Sequence, residues 1–285
     1  MDGPVELCVL ASGSSANATY ISSGRTRILV DCGLPAREIV RRLAEISVDP
    51  KSLDGILISH AHTDHFRSAG TMFAKYNIPV HTMAETEDAI LGKPSCGSFW
   101  RVRDCRRFPE RIGDMDIETF DVPHGGGPLD SGRPVGFILK SGRSRIGHVT
   151  DAGELPAPFV RALRGVDAIV IEANYHQPVV HKKLRDPSFA DYWHYLKWVD
   201  GPTGHLSNGQ CVEALAEIVT QDTKAVFPAH ISENHYNTRR DNNDFTTVSS
   251  AIALQVAGMG LRTKICRTYR REKTEGQRSE LVRLD

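Results

Sequence analysis

The sequence predicts an α/β fold. Short apolar strands alternate with stretches of helical periodicity from end to end. No linker, internal repeat or low-complexity block divides the 285 residues. With 40% hydrophobic and 25% charged residues, the composition is that of a globular chain with a sizeable core. Residues 1–285 are therefore expected to form one domain.

The opening reads as strands. Glu6–Leu10 is a short apolar run, and the turn-rich ASGSSANA follows it. Thr19–Ile21 and Arg27–Val30 are the next two strands, separated by Ser-Ser-Gly. Pro35–Ala44 reads as a helix with Ile39, Val40 and Leu43 on one face. Gly55–Ile58 is a buried strand running into SHAHTDH, and Phe66–Lys75 has helical composition. Further on, Ile117–Val122, Val135–Leu139, Ile146–Val149 and Ala168–Ile171 are strand-like. The last third predicts helix Gly209–Val219, strand Ala225–Phe227, helix Val248–Ala257 and strand Thr263–Arg267. Gly92–Arg111 and the aromatic-rich His176–Gly204 follow no clear period, and the charged Arg270–Arg283 is expected at the surface.

Composition excludes some classes. Thirty-five basic residues balance thirty-five acidic ones, which argues against a general nucleic-acid coat or a membrane-surface binder, though not against a local basic groove. The six cysteines form no CxxC pair, so a reduced, cytoplasmic protein is expected. The N-terminal MDGPVELCVLASGSS lacks the pattern of a signal peptide, and no apolar run approaches the ~20 residues of a membrane span.

The strongest chemical signal is His60-Ala61-His62-Thr63-Asp64-His65, four potential metal ligands in six residues directly after an apolar strand. Imidazole and carboxylate suit zinc and similar divalent ions. In an extended segment His60 and His62 project to one side, and a following turn can carry Asp64 and His65 toward a second site. A second signal is Gly204-His205-Leu206-Ser207-Asn208 ahead of a helix. Ser207 or Asn208 suits its N-cap, and helix N-termini favour anions. His205 either stands at the site, binding phosphate or protonating a leaving oxygen, or is incidental to a capped helix. The Ser12–Asn17 loop could likewise touch a phosphate or simply connect two strands.

The run resembles the HxHxDH signature of the metallo-β-lactamase superfamily, and the resemblance covers nearly the whole chain. It implies a four-layer αββα sandwich, two mixed sheets flanked by helices, with a dinuclear metal site. By analogy His60, His62 and His124 hold one metal, Asp64, His65 and His230 hold the other, and Asp151 bridges them. Asp31 would orient a ligand by hydrogen bonding. His81, His148, His176, His181, His194 and His235 have no such placement and are read as structural or surface groups, with His148 and His235 the nearest exceptions.

ASGSSANATYI, LVDCGL, SHAHTDH, DVPH, VTDAGE, IEANYH, GHLSN and AHISENH together resemble the YycJ/WalJ-like branch, related to ribonuclease Z and the phosphodiesterase PhnP. That resemblance implies two divalent ions, zinc first with manganese as the alternative, and hydrolysis of phosphodiesters in nucleic acid, DNA before RNA, as a 5′-to-3′ exonuclease. It casts Asp64 as the residue orienting a water and His205 as the phosphate-contacting or general-acid group. The segments between IEANYH and GHLSN and between DVPH and Gly136-Phe137 are longer than the branch pattern. A thioester or other small-ester hydrolase on the same metals is the alternative, and a metal-stabilised protein without turnover is the non-enzymatic one. Three basic groups could face a polyanion: Arg101, Arg103, Arg106, Arg107 and Arg111; Arg239 and Arg240; Arg267, Arg270, Arg271 and Lys273. Tyr192–Trp198 is expected to serve packing before base stacking.

Overall fold

A computed structural model of the chain describes residues 4–93, 107–126, 128–232, 245–268 and 280–284. In chain order the described elements begin with β1 (Val5–Ala11), β2 (Ala18–Ser22), β3 (Arg27–Val30), α1 (Ala36–Glu45), β4 (Gly55–Leu57), α2 (Thr63–Phe66), α3 (Ala69–Tyr76), β5 (Val80–His81) and α4 (Ala84–Leu91). They continue with β6 (Arg111–Ile112), β7 (Met115–Asp121), α5 (Pro128–Ser131), β8 (Val135–Ser141), β9 (Ser144–Val149), α6 (Ala157–Leu163), β10 (Ala168–Glu172), α7 (Gln177–Lys183) and α8 (Trp193–Val199). The last are α9 (Asn208–Ile218), β11 (Ala225–Ala229), α10 (Phe245–Gly258), β12 (Lys264–Ile265) and β13 (Val282–Leu284). The strands make two mixed sheets flanked by helices, the α/β class expected. No helix among the described residues is long and apolar enough to cross a membrane.

The chain divides into two compact units. The first comprises residues 1–121, 126–145 and 268–285. It holds a six-stranded sheet in the order β13-β1-β2-β3-β4-β5. β1, β2 and β3 form an antiparallel meander, and β3, β4 and β5 are parallel. Almost every residue of β1 to β4 is buried, which explains why these strands read as continuous apolar runs and not as alternating ones. α1 turns Ile39 and Leu43 into a core that includes Leu10, Tyr20, Leu29, Ile56, Phe66 and Met72. The same unit carries β6, β7 and β8, paired antiparallel in that order.

The second unit comprises residues 122–125 and 146–267. Its strands β9, β10, β11 and β12 are all parallel neighbours. β10 and β11 are buried throughout. α9 starts at a full capping box, with the Ser207 hydroxyl accepting from Gln210 N–H and the Gln210 side chain accepting from Ser207 N–H.

Several elements differ from the sequence reading. The expected helix Phe66–Lys75 is two helices, α2 and α3, with Ser68 N–H donating to the Cys32 carbonyl between them. The predicted strand at Thr263 shrinks to Lys264–Ile265. The C-terminal end is not simply surface: β13 pairs with β1 and buries Val282 and Leu284. His176–Gly204 folds into α7, a 3-10 turn at Pro187–Tyr192, and α8.

Candidate metal centre

In the first unit the donors gather beyond the carboxyl ends of β3 and β4. Asp31 N–H bonds the Leu57 carbonyl at 2.8 Å and takes a left-handed φ of 63°. Its buried carboxylate accepts from Ser59 N–H and Ser59 Oγ, each at 2.9 Å, and Oδ2 lies 2.7 Å from His65 Nδ1. Ser59 Oγ is also 3.0 Å from His60 Nδ1. The rings of His60 and His65 are 4.1 Å apart between centroids, and those of His60 and His62 are 4.6 Å apart. His62, itself extended, precedes α2, whose first turn carries Asp64 and His65, whereas His60 and Ala61 form a bend in place of the extended segment expected.

Two further segments hold this motif. The buried Asn17 Nδ2 lies 3.1 Å from Asp64 Oδ2 and 2.9 Å from His65 Nε2, while Asn17 N–H bonds the Asp64 carbonyl at 2.8 Å. The Ser12–Asn17 loop is thus more than a strand connection: it fixes the side chains of the motif. Gly33 is required beside it, because a Cβ there would sit 1.5 Å from the Asp64 carbonyl oxygen. Asp130, from the expanded segment after His124, accepts from Gly126 N–H at 3.0 Å and lies 3.1 Å from His62 Nε2.

In the second unit the donors stand at the carboxyl ends of β9, β10 and β11, where parallel α/β sheets place their ligands. Asp151 follows β9 at φ 57°, Glu172 ends β10, and His230 follows β11 at φ 52°. Asp31, Asp151 and His230 are three of only five non-glycine residues with positive φ among the described residues. Such backbone is unfavourable and concentrates at functional sites. Asp151 Oδ1 lies 3.4 Å from His124 Nε2 and 3.4 Å from His230 Nδ1. His124 Nδ1 lies 2.8 Å from the Gly204 carbonyl. His205 is buried and 5.0 Å from His124 between ring centroids.

Sequence reasoning missed Glu172. Its Oε1 contacts His205 Nδ1 at 2.8 Å and His230 Nδ1 at 2.7 Å, and its Oε2 accepts from Ala152 N–H at 2.8 Å and Leu206 N–H at 3.1 Å. Burial alone would raise its pKa, but His205 and His230 hold it ionised, at about 2. The signal was the Glu of IEANYH, one carboxylate at a strand end like many others. Asp151, Glu172, His205 and His230 offer ligand atoms all within 4.8 Å of one another.

These donors fit a divalent metal. His230 Nδ1 lies near both Glu172 Oε1 at 2.7 Å and Asn174 Nδ2 at 3.1 Å, while in His65 and His124 the Nδ1 nitrogen faces an oxygen acceptor. In those two the proton therefore belongs on Nδ1 and the lone pair on Nε2, the arrangement found in metal-bound histidines. Among the other histidines, His148 is buried within β9, and His181 pairs with Asp200 at 2.7 Å. Arg101, Arg103, Arg106, Arg239, Arg240, Arg270, Arg271, Lys273 and His235 lie outside the described residues. Arg111 forms an exposed ion pair with Asp116.

Residues 26–231 match the family model of the beta-lactamase superfamily domain, and the chain belongs to that family. It is similar to exodeoxyribonuclease WalJ of Streptococcus pneumoniae, 30% identical over 265 residues, covering 90% of this chain and 91% of that one. It is 29% identical to exodeoxyribonuclease YycJ of Bacillus anthracis over 262 residues, covering 89% and 90%. In fold it resembles the metallo-beta-lactamase fold protein YhfI from Bacillus subtilis, with a TM-score of 0.65 at 13% identity over 99% of this chain and 100% of that one.

Proposed function

We propose that residues 1–285 act as one cytoplasmic hydrolase domain that uses two divalent ions, zinc before manganese, to cleave phosphodiester bonds in nucleic acid, with DNA the substrate. The observation that carries this reading is His205 held on the buried, ionised Glu172, with Asp151 and His230 offering ligand atoms in the same cluster. The exodeoxyribonuclease names of relatives matched over about nine-tenths of the chain support it.

In this reading His60, His62 and His124 would hold one ion, Asp64, His65 and His230 would hold the other, and Asp151 would serve both. The ions would supply acidified water and neutralise charge on the attacked phosphate. Asp64 orients the attacking water. Asp31 holds His65 by Nδ1, and Asn17 Nδ2, 2.9 Å from His65 Nε2, would give way to the ion. Glu172 holds His205 through Nδ1, which sets His205 as the phosphate-contacting or general-acid group for the leaving oxygen. General-acid help of this kind is worth about 10²–10⁴-fold.

The test is hydrolysis of an aryl phosphodiester and of 5′-phosphorylated linear DNA, by wild type and His205→Ala, with zinc and with manganese. Both substrates should be cleaved, and His205→Ala should slow both while metal content stays unchanged. Cleavage of the aryl ester alone removes the nuclease assignment. Failure on both with two metals bound, together with turnover of a thioester, replaces the reading by the thioester alternative.

A further inference from the structure

We infer that Trp198 and Tyr195 form a base-stacking platform that reads the nucleotide next to the scissile phosphate. The inference rests on the nucleic-acid reading above and adds to it a substrate feature: an unpaired base that can leave its stack.

The starting point is the edge of the cluster on which α8 packs. Leu196 and Val199 are fully buried, packed with Tyr175 and Val180. Trp198 packs against the edge of this cluster, and Tyr195, three residues before it, lies on the same side of α8. Their rings are 5.6 Å apart at an interplanar angle of 36°. Trp198 is half-buried, whereas Tyr195 is 38% exposed and Tyr192, just before α8, is 46% exposed. Only four large hydrophobic side chains are this exposed among the described residues, and two of them belong to this short segment. Packing, the role first expected of these aromatics, accounts for one side of Trp198, while Tyr192 and Tyr195 keep a large share of their surface exposed.

The platform begins at the candidate catalytic histidine. The Trp198 ring lies 5.2 Å from that of His205 and 5.8 Å from that of His124. A tight turn holds this juxtaposition: Gly201 N–H bonds the Trp198 carbonyl at 3.0 Å, Gly204 N–H bonds Gly201 at 3.0 Å, and His205 N–H bonds Val199 at 3.0 Å. A Cβ on Gly204 would meet the Trp198 carbonyl at 2.0 Å, so only glycine lets the chain return this closely. Asp200, at the end of α8, accepts from Tyr175 Oη at 2.7 Å and from Gln177 Nε2 at 3.1 Å, which ties α8 to the start of α7. A phosphate at His205 would therefore carry its neighbouring base past Trp198 toward Tyr195. Stacking on aromatic rings is how proteins hold single-stranded bases without reading their sequence.

The test compares single-stranded DNA carrying a normal base or an abasic residue on either side of the terminal linkage. Affinity is measured by fluorescence anisotropy on phosphorothioate-protected strands, and kcat/KM on unprotected ones. Wild type should favour the base at one of the two positions by about ten-fold in both measurements. Trp198→Ala should bring the base-bearing and abasic strands together. Trp198→Phe should keep much of the preference, and Tyr195→Ala should reduce it. The ratio within each variant cancels any general effect on His205, and Tyr195→Ala decides the matter if Trp198→Ala does not fold. Equal handling of base-bearing and abasic strands by wild type overturns the platform and leaves the phosphodiesterase reading intact. Base-dependent binding without cleavage of any phosphodiester supports the platform and sinks the catalytic reading.

Discussion

Glu172 Oε1 lies 2.8 Å from His205 Nδ1, and the carboxylate is fully buried. Because both of its oxygens are engaged, Glu172 acts as a positioning residue for His205 and His230. Glu172→Gln should lower kcat on a phosphodiester by about 10–100-fold with KM less affected. Steady-state kinetics beside metal analysis checks this. A change in KM alone would show that Glu172 does not act through His205.

Asp31 is the corresponding anchor in the first unit, joined to Ser59 and His65. Asp31→Ala strands a backbone N–H, a hydroxyl and an imidazole in a buried place. Metal affinity should weaken about 10–100-fold, read by chelator competition. Asp31→Asn should be milder, since asparagine tolerates the left-handed φ of 63° and keeps an oxygen for Ser59.

Gly33→Ala should damage the HxHxDH segment without altering any donor. The added Cβ meets backbone of Asp64 at 1.5 Å, so the motif itself must move. Thermal unfolding should show a loss of about 3 kcal/mol, the upper end for overpacking, together with weaker metal binding. Gly258→Ala, where nothing lies within 4 Å, is the control and should cost nothing.

Arg42 is wholly buried in α1, with Nε 2.6 Å from Glu38 Oε1 and Nη1 2.5 Å from the Leu10 carbonyl. Hydrogen bonds from Arg41, and then from Arg42 against the opposing effect of burial, lower the Glu38 pKa from 4.5 to about 2. A depressed carboxylate stabilises the fold fully above its unfolded pKa, and that contribution is lost as pH falls from about 4.5 toward about 2. Glu38→Gln should cost about 2 kcal/mol at pH 7, between the exposed and buried limits for ion pairs. Denaturant titrations should show the gap to wild type narrowing across that acid window. A constant gap would mean that packing, not charge, is what the variant loses.

Local features were legible in the sequence. Four donors in six residues are close along the chain, and a bend at His60 and Ala61 followed by the first turn of α2 is enough to gather them. The α9 cap was legible because a capping box is complete within four residues. The longest apolar strands were legible because their burial on both faces leaves a continuous run. By contrast, α7 and α8 have seven residues each, too short for a period to show.

What tertiary structure alone decided is which distant groups support the donors. Asn17 reaches Asp64 across 47 residues, Asp130 reaches His62 across 68, and Glu172 reaches His230 across 58. For Glu172 and His230 the reason is that the parallel pair β10 and β11 aligns the carboxyl ends of its strands whatever chain separates them. Asn17 and Asp130 arrive on loop and helix segments with no fixed spacing to the motif. The donor types and the α/β class are properties of the sequence read locally. The orienting carboxylates and the aromatic wall beside His205 exist only because strand register and the Gly201–Gly204 turn bring them there.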